Sequence, residues 1–140
     1  MRVVVDTNVL VSALITERGT ARRLVDALVA GRFEPILTPA MAIELLSVVW
    51  RPKFRTRVVN QYRLTAIVSV VDEFAVATDA IVPSRDSGDR IVIEAAVAGE
   101  ADMIVTGDRD LLDDLDLRAW LMARGIEVTT PAEFLRQLDS

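Results

Sequence analysis

Four acidic residues stand where strands are predicted to end or helices to begin, in a chain of 140 residues without histidine or cysteine. Asp6 follows a run of valines, Glu44 lies in a helical stretch, Asp89 opens another, and Asp108 ends a short apolar segment. With imidazole and thiolate ligands absent, clustered carboxylates indicate a hard divalent cation, Mg²⁺ or Mn²⁺. Zinc sites of the usual Cys/His type and Ser-His-Asp or Cys-His catalysis are excluded within this chain.

The chemistry open to such a set of carboxylates is metal-assisted hydrolysis. Carboxylates held close together repel one another unless a cation neutralises their charge. Two divalent ions about 4 Å apart can activate a water and stabilise the leaving oxygen of a phosphodiester. The four acids therefore favour cleavage of a nucleic-acid backbone, which needs neither a thiol nor a nucleotide cofactor.

Short β-branched runs alternate with longer helical patterns along the whole chain. The patterns predict strands over 2–6, 34–37, 74–78, 103–106 and 126–129, and helices over 8–15, 20–30, 39–50, 54–71, 87–98, 110–124 and from 131 onward. This alternation predicts an α/β fold with a mostly parallel sheet and helices on both faces. Ligands of such sheets bind beyond the carboxyl ends of the strands, so acids far apart in sequence can meet at one edge.

Composition and charge narrow the class of protein. Half of the residues are apolar, 51%, and the length suits one domain over 1–140. No apolar run reaches the ~18 residues of a membrane helix, and the start reads directly into a strand, so a cytoplasmic protein is expected. The net charge of −5 disfavours a simple DNA-binding surface. A local basic group could hold the phosphates of an anionic polymer such as a nucleic acid, or it could simply form a solvated helix face; it consists of Arg51, Lys53, Arg55 and Arg57.

Several segments are similar, in order and spacing, to the motifs of PIN-domain proteins, in particular the toxin-like branch related to VapC toxins. They are VVVDTNVL (3–10), TPAMAIEL (38–45), RPKF (51–54), DRIV (89–92), IVTGDRDLL (104–112) and GIEVTTPAEFL (125–135). The resemblance covers almost the whole chain. It implies a three-layer α/β/α, 5′-nuclease-like fold and an Mg²⁺- or Mn²⁺-dependent ribonuclease. Such toxins usually form homodimers and are held inactive by a small antitoxin protein.

The resemblance also assigns roles to individual residues. Asp6, Glu44, Asp89 and Asp108 carry over as the catalytic metal site, with Asp6 and Asp108 as the more direct ligands. Glu44 and Asp89 would act through water or on a second ion. The residues expected to orient these carboxylates by hydrogen bonds are Thr7, Asn8 and Thr106.

The chain departs from its relatives around the third acid. Where toxin-like relatives often carry two adjacent acids, this sequence reads DSGD over 86–89, so Asp86 and Asp89 both remain candidates. Asp89 is favoured because a helical pattern follows it directly. Asp110, two residues beyond Asp108, is a further possible ligand.

Each acid also has a structural interpretation. Asp6, Asp89 and Asp108 could each cap a helix or turn, and Glu44 could be a surface residue. Ser12 could line the site, but it is expected to be a buried hydroxyl bonded to the helix backbone.

Two other functions fit part of the pattern. A haloacid-dehalogenase-like phosphatase would use Asp6 as nucleophile, but it needs a second acid where this chain has Asn8. A PIN scaffold that binds RNA or a protein without cutting would be expected to lack one or more of the four acids.

Overall fold

The computed structural model describes residues 1–16, 19–49, 51 and 87–140. The helix predicted over 54–71 and the strand predicted over 74–78 lie outside these residues. The described strands are β1 (Arg2–Val5), β2 (Glu34–Pro35), β3 (Met103–Val105) and β4 (Glu127–Thr129). The described helices are α1 (Thr7–Ile15), α2 (Thr20–Val29), α3 (Pro39–Val49), α4 (Ser87–Ala98), α5 (Arg109–Asp113), α6 (Leu115–Met122) and α7 (Pro131–Asp139). No helix in these ranges is long and apolar enough to span a membrane.

The four strands form one parallel sheet in the order β2-β1-β3-β4. The chain adds β2 on one side of β1 and later adds β3 on the other side. The junction of β1 and β3 is therefore a topological switch point, where parallel sheets commonly bind their ligands. Val5 pairs with Val105 at the carboxyl end of this junction, which places the residues after both strands side by side.

The central strand is apolar because both of its faces are covered. Val3 and Val4 are fully buried and Val5 nearly so, as expected for a parallel strand between two helical layers. The all-parallel sheet with its flanking helices confirms the predicted three-layer α/β/α architecture. The largest fully buried side chains come from helices as well as strands, and they include Leu24, Met41, Ile93, Ile104 and Phe134.

Several predicted helix ends are confirmed by their caps. The Thr38 hydroxyl accepts a hydrogen bond from the Met41 N–H at 3.3 Å, and the Thr130 hydroxyl accepts one from the Glu133 N–H at 3.2 Å. Gly31 follows α2 with φ of 73°, a conformation that glycine adopts without steric cost. The chain therefore enters α3 and α7 directly from the carboxyl edge of the sheet.

The helical pattern over 110–124 is confirmed, and the structure divides it into two helices. Asp114 interrupts them with extended backbone angles, φ −80° and ψ 91°. Its carboxylate accepts a hydrogen bond from the Leu117 N–H at 3.0 Å, which caps the start of α6. The Arg118 guanidinium donates to the Leu112 carbonyl at the end of α5 and to the Val128 carbonyl of β4, at 3.0 and 3.2 Å. The break is thus stabilised by local capping and by contact with the sheet.

The last helix closes the fold by packing on α2 and the segment after it. Phe33 and Phe134 meet edge to face with ring centroids 5.1 Å apart. The Arg32 guanidinium donates to the Leu138 carbonyl at 3.2 Å and to the Asp139 carboxylate at 2.9 Å. The end of the described chain is therefore part of the folded core.

Gly99, just after α4, approaches Ile36 so closely that a side chain there has no room. A Cβ at position 99 would lie 2.5 Å from Cγ2 of Ile36, whose side chain is almost fully buried. We expect Gly99→Ala to lower the free energy of unfolding by about 1–3 kcal/mol, since a buried neighbour must move. Urea unfolding followed by circular dichroism measures this change.

Gly107→Ala is the matched control for this substitution. A Cβ at position 107 meets no atom within 4 Å, so the stability of that variant should stay close to that of the parent. Equal stability of the Gly99 and Gly107 variants would contradict the close packing of α4 against the segment after β2.

Candidate functional site

Asp6 lies at the carboxyl end of β1 and is only 8% exposed. Its backbone N–H donates to the Val105 carbonyl at 2.9 Å, continuing the pairing of β1 with β3. Its Oδ1 accepts from the Asn8 N–H at 3.2 Å, and its Oδ2 accepts from the Thr106 hydroxyl at 2.8 Å. Both oxygens are therefore held in place, one by the start of α1 and the other by the residue after β3.

Thr106 links the carboxylates that follow β1 and β3. Its side chain is fully buried, and its hydroxyl donates to Asp6 while accepting from the Asp108 N–H at 3.0 Å. Asp108 is half-buried, and its Oδ1 accepts from the Asp110 N–H at 2.9 Å. One hydroxyl thus positions the carboxylate of Asp6 and the backbone that carries Asp108.

Glu44 reaches the same region from α3. The Thr7 hydroxyl, buried at the first position of α1, donates to Oε1 of Glu44 at 2.7 Å. Glu44 itself is half-buried within an otherwise apolar helix. A carboxylate in such surroundings is costly without a partner, and Thr7 supplies one. Adjacent residues of the chain, Asp6 and Thr7, therefore tie together β1, β3 and α3.

Burial and two neighbouring acids act on the pKa of Asp6. Burial raises the pKa of Asp6 above its ordinary value of 3.8, and the negative charges of Glu44 and Asp108 raise that pKa further. The hydrogen bonds from Thr106 and Asn8 lower it and offset part of this rise. Ionisation of Asp6 is thus disfavoured, and the positive charge of a bound cation would favour it.

The other predicted site residues either lie partly or wholly outside the described residues or contact the acids only through their backbone. Asp89 lies in the first turn of α4, and its side chain falls outside the described part of the structure. Asp110 is exposed and supports Asp108 through its backbone N–H. Asn8 likewise supports Asp6 through its backbone N–H. Of the basic group, Arg51 is exposed. The remaining predictions fall on Asp86, Lys53, Arg55 and Arg57, which lie outside the described residues.

The capping interpretation of two acids also holds, since Asp6 caps α1 and Asp108 caps α5. A carboxylate that caps a helix can still accept further bonds, because its two oxygens offer about four acceptor positions. Within the described residues, no group of three or more acids is arranged so that it could hold a metal ion by itself. The donor chemistry fits a hard cation, because Asp6, Glu44 and Asp108 offer oxygen donors and the charges of Glu44 and Asp108 disfavour the ionised form of Asp6. Their role as ligands stays a prediction.

A cleft opens beside Asp108, and its lining combines residues that the sequence interpretation considered with others that it left out. Ser12 lines this cleft, is half-buried and makes no side-chain hydrogen bond within the described ranges, so the expected bond to the helix backbone is not formed. Asn8 lines it too. The spacing of four residues puts Asn8 and Ser12 on the same face of α1, and this was the available signal. Thr20 and Arg109, from other elements, gave no such signal.

The raised pKa of Asp6 makes the stability of the metal-free protein depend on pH. The folded protein keeps the Asp6 proton to higher pH than the unfolded chain does. Stability contributed by the protonated form is therefore lost as the pH rises from 3.8 through the raised pKa. We expect Glu44→Gln to lower the pKa of Asp6 while keeping it above 3.8, since burial is the largest cause of the rise.

Carbon-detected NMR titration of the Asp6 carboxyl group, in the presence of a chelator, measures this pKa. Asp116→Asn removes an exposed acid and should leave the Asp6 titration unchanged. The description of the site is wrong if Asp6 in the parent titrates at or below 3.8.

Sequence comparison identifies a relative and a family for this chain. Its sequence is 29% identical, over 147 aligned positions, to the uncharacterized protein MJ1680 of Methanocaldococcus jannaschii, with 99% of this chain and 92% of that protein covered. Residues 2–110 match the family model described as PIN domain, a range that contains Asp6, Glu44, Asp89 and Asp108. This range covers most of the chain and includes β1, β3 and the start of α5. The chain belongs to the PIN-domain family.

Proposed function

We propose that this protein is a divalent-metal-dependent ribonuclease that hydrolyses phosphodiester bonds in RNA. The observation that carries the proposal is the set of hydrogen bonds at the carboxyl edge of β1 and β3, where Thr106 bonds both the Asp6 carboxylate and the Asp108 backbone and Thr7 bonds Glu44. Membership of the PIN-domain family supports it, because the fold is nuclease-like and PIN domains are generally nucleases.

In this proposal Asp6, Glu44, Asp108 and Asp89 hold Mg²⁺ or Mn²⁺. When bound, such an ion supplies positive charge that stabilises the negative charge developing on the phosphate and on the leaving oxygen. Thr106 fixes the orientation of Asp6 before the ion arrives, so less reorganisation is needed on binding. Because the proton and the ion compete for Asp6, the affinity for the metal should rise with pH.

The residues around Asp6 argue against a haloacid-dehalogenase-like phosphatase. Both oxygens of Asp6 accept hydrogen bonds, from Asn8 and from Thr106, which fix the orientation of the carboxylate but leave lone pairs for a cation. The phosphatase is disfavoured by Asn8, which has no carboxyl group to act as the second acid of such a site.

Cleavage of a mixed single-stranded RNA pool, with Mn²⁺ or with a chelator, tests the ribonuclease proposal. We expect cleavage only with the metal. Asp6→Asn and Asp108→Asn should lower the rate at least about 100-fold, since even residues behind metal ligands contribute about 10- to 100-fold. Gel or sequencing analysis of the new RNA ends measures both rate and cut position.

Asp116→Asn is the matched control, because it removes one exposed carboxylate from the same acidic stretch and should cut at the parental rate. A parent that binds RNA without cutting it would support the non-cleaving scaffold instead. If Asp6→Asn cuts as fast as the parent, the acids identified here do not perform the reaction.

We further propose that the protein is the toxin of a toxin–antitoxin pair, with a small antitoxin and a second copy of the chain as protein partners. One observation supports a protein partner. The negative charges of Glu44 and Asp108 act on the buried Asp6, and an arginine side chain would neutralise this charge as a metal ion would.

Expression in a bacterial host tests the toxin assignment. The parent should arrest growth, and Asp6→Asn, produced at the same level, should not, because it lacks the carboxylate on which cleavage depends. Colony counts after induction measure the effect. Unimpaired growth with a parent that cuts RNA in vitro would remove the toxin role and leave the ribonuclease proposal intact.

A further inference from the structure

A cleft of about 890 Å³ runs from Asp108 along one side of α1. Its walls come from α1, the start of α2, the segment after β3 and Pro131 at the start of α7. Asn8 and Asp108 belong to its lining, so the cleft is continuous with the candidate metal site. Its volume lies within the range of about 300–1,000 Å³ that is usual for sites of small organic ligands.

The polar groups in the cleft are available to a ligand. The Ser12 and Thr20 hydroxyls and the Asn8 side-chain amide make no hydrogen bond within the described ranges, and all three line the cleft. Ala21 and Pro131 supply apolar surface beside them. Apolar walls with a few hydrogen-bonding groups suit a flat heterocycle that carries donors and acceptors on its edge.

Arg109 adds positive charge next to Asp108. Its side chain is 80% exposed, and its ion pair with Asp113, at 3.9 Å, is solvent-exposed and therefore weak. Arg109 is the one basic residue in the lining, as far as the structure is described. A guanidinium binds phosphate oxygens in a bidentate way, so it can exchange this weak pair for a phosphate.

We propose that this cleft holds the nucleotide next to the phosphodiester that is cut, with Arg109 on a flanking phosphate and Asn8, Ser12 and Thr20 on the base or ribose. This inference rests on the proposed ribonuclease function. A base stacked in a duplex cannot enter such a cleft, whereas an unpaired base can leave the stack and present its edge. The cleft therefore selects single-stranded RNA and contributes to base preference.

The first test measures binding without cleavage. Fluorescence anisotropy of a labelled hexanucleotide RNA, with the full chain and a chelator, gives the dissociation constant at several salt concentrations. Arg109→Gln should weaken binding about three- to tenfold at low salt and flatten the salt dependence by about 0.7 in the logarithmic slope. Arg136→Gln is the matched control, because Arg136 is also exposed and paired within one helix turn, but outside the cleft.

The second test measures base preference. Cut sites in the mixed RNA pool identify the favoured sequence, and substrates that differ only at the nucleotides flanking the cut are then compared by kcat/KM. Ser12→Ala combined with Thr20→Val should change the ratio between the best and worst base by about three- to tenfold, since hydrogen bonds are lost. Ser140→Ala, which removes a hydroxyl after α7, should leave the ratio unchanged.

The outcomes separate this inference from the proposed function. Thermal unfolding by circular dichroism first verifies that each variant is folded. A parent that cuts RNA, with cleft variants of unchanged affinity and base preference, overturns the inference and leaves the ribonuclease proposal standing. A parent that does not cut but binds RNA through Arg109 supports the cleft and overturns the ribonuclease proposal. A parent that neither cuts nor binds RNA overturns both and favours a protein segment as the occupant.

Discussion

A buried carboxylate at the end of the central strand is the constraint around which the rest of this site is arranged. Asp6 loses most of its contact with water, and the protein replaces that contact with the Asn8 N–H and the Thr106 hydroxyl. Two further acids, Glu44 and Asp108, act on it unfavourably. Buried polar groups that are fully bonded are tolerated, whereas buried charges that repel one another need a counter-charge. The fold therefore maintains a local excess of negative charge that favours cations.

Two threonine hydroxyls connect these carboxylates to several strands and helices. Thr106 joins Asp6 to the backbone of Asp108, and Thr7 joins the start of α1 to Glu44 on α3. Each threonine acts on a carboxylate that is distant in sequence, so the positions of the acids depend on the packing of the sheet and its helices. The same contacts explain why Asp6 and Asp108 can cap helices and still belong to one polar site.

Sequence patterns predicted the parallel sheet and the placement of Asp6 and Asp108 at one edge of it, because both follow from general rules. The valine run of β1 indicates a strand buried on both faces, and Asp6 and Asp108 follow strands that end at the same edge. The break at Asp114 was missed because it depends on a cap and on contacts with Arg118 that no periodicity reveals. Ser12 was misjudged because the space beside α1 is created by α2 and Pro131, which are brought together only by the tertiary fold.

The bond between Thr106 and Asp6 also has a consequence for how the chain finds its native pairing. Side chains alternate between the two faces of a sheet, so sliding one central strand past the other by a single residue would separate the hydroxyl from its acceptor. The carboxylate would then be left in an apolar interior without a donor, at a substantial cost in free energy. The Thr106–Asp6 hydrogen bond thus disfavours out-of-register pairing of β1 and β3, which contacts between valines alone would allow. The correct register of these strands and the placement of Asp6 near Asp108 depend on the same threonine.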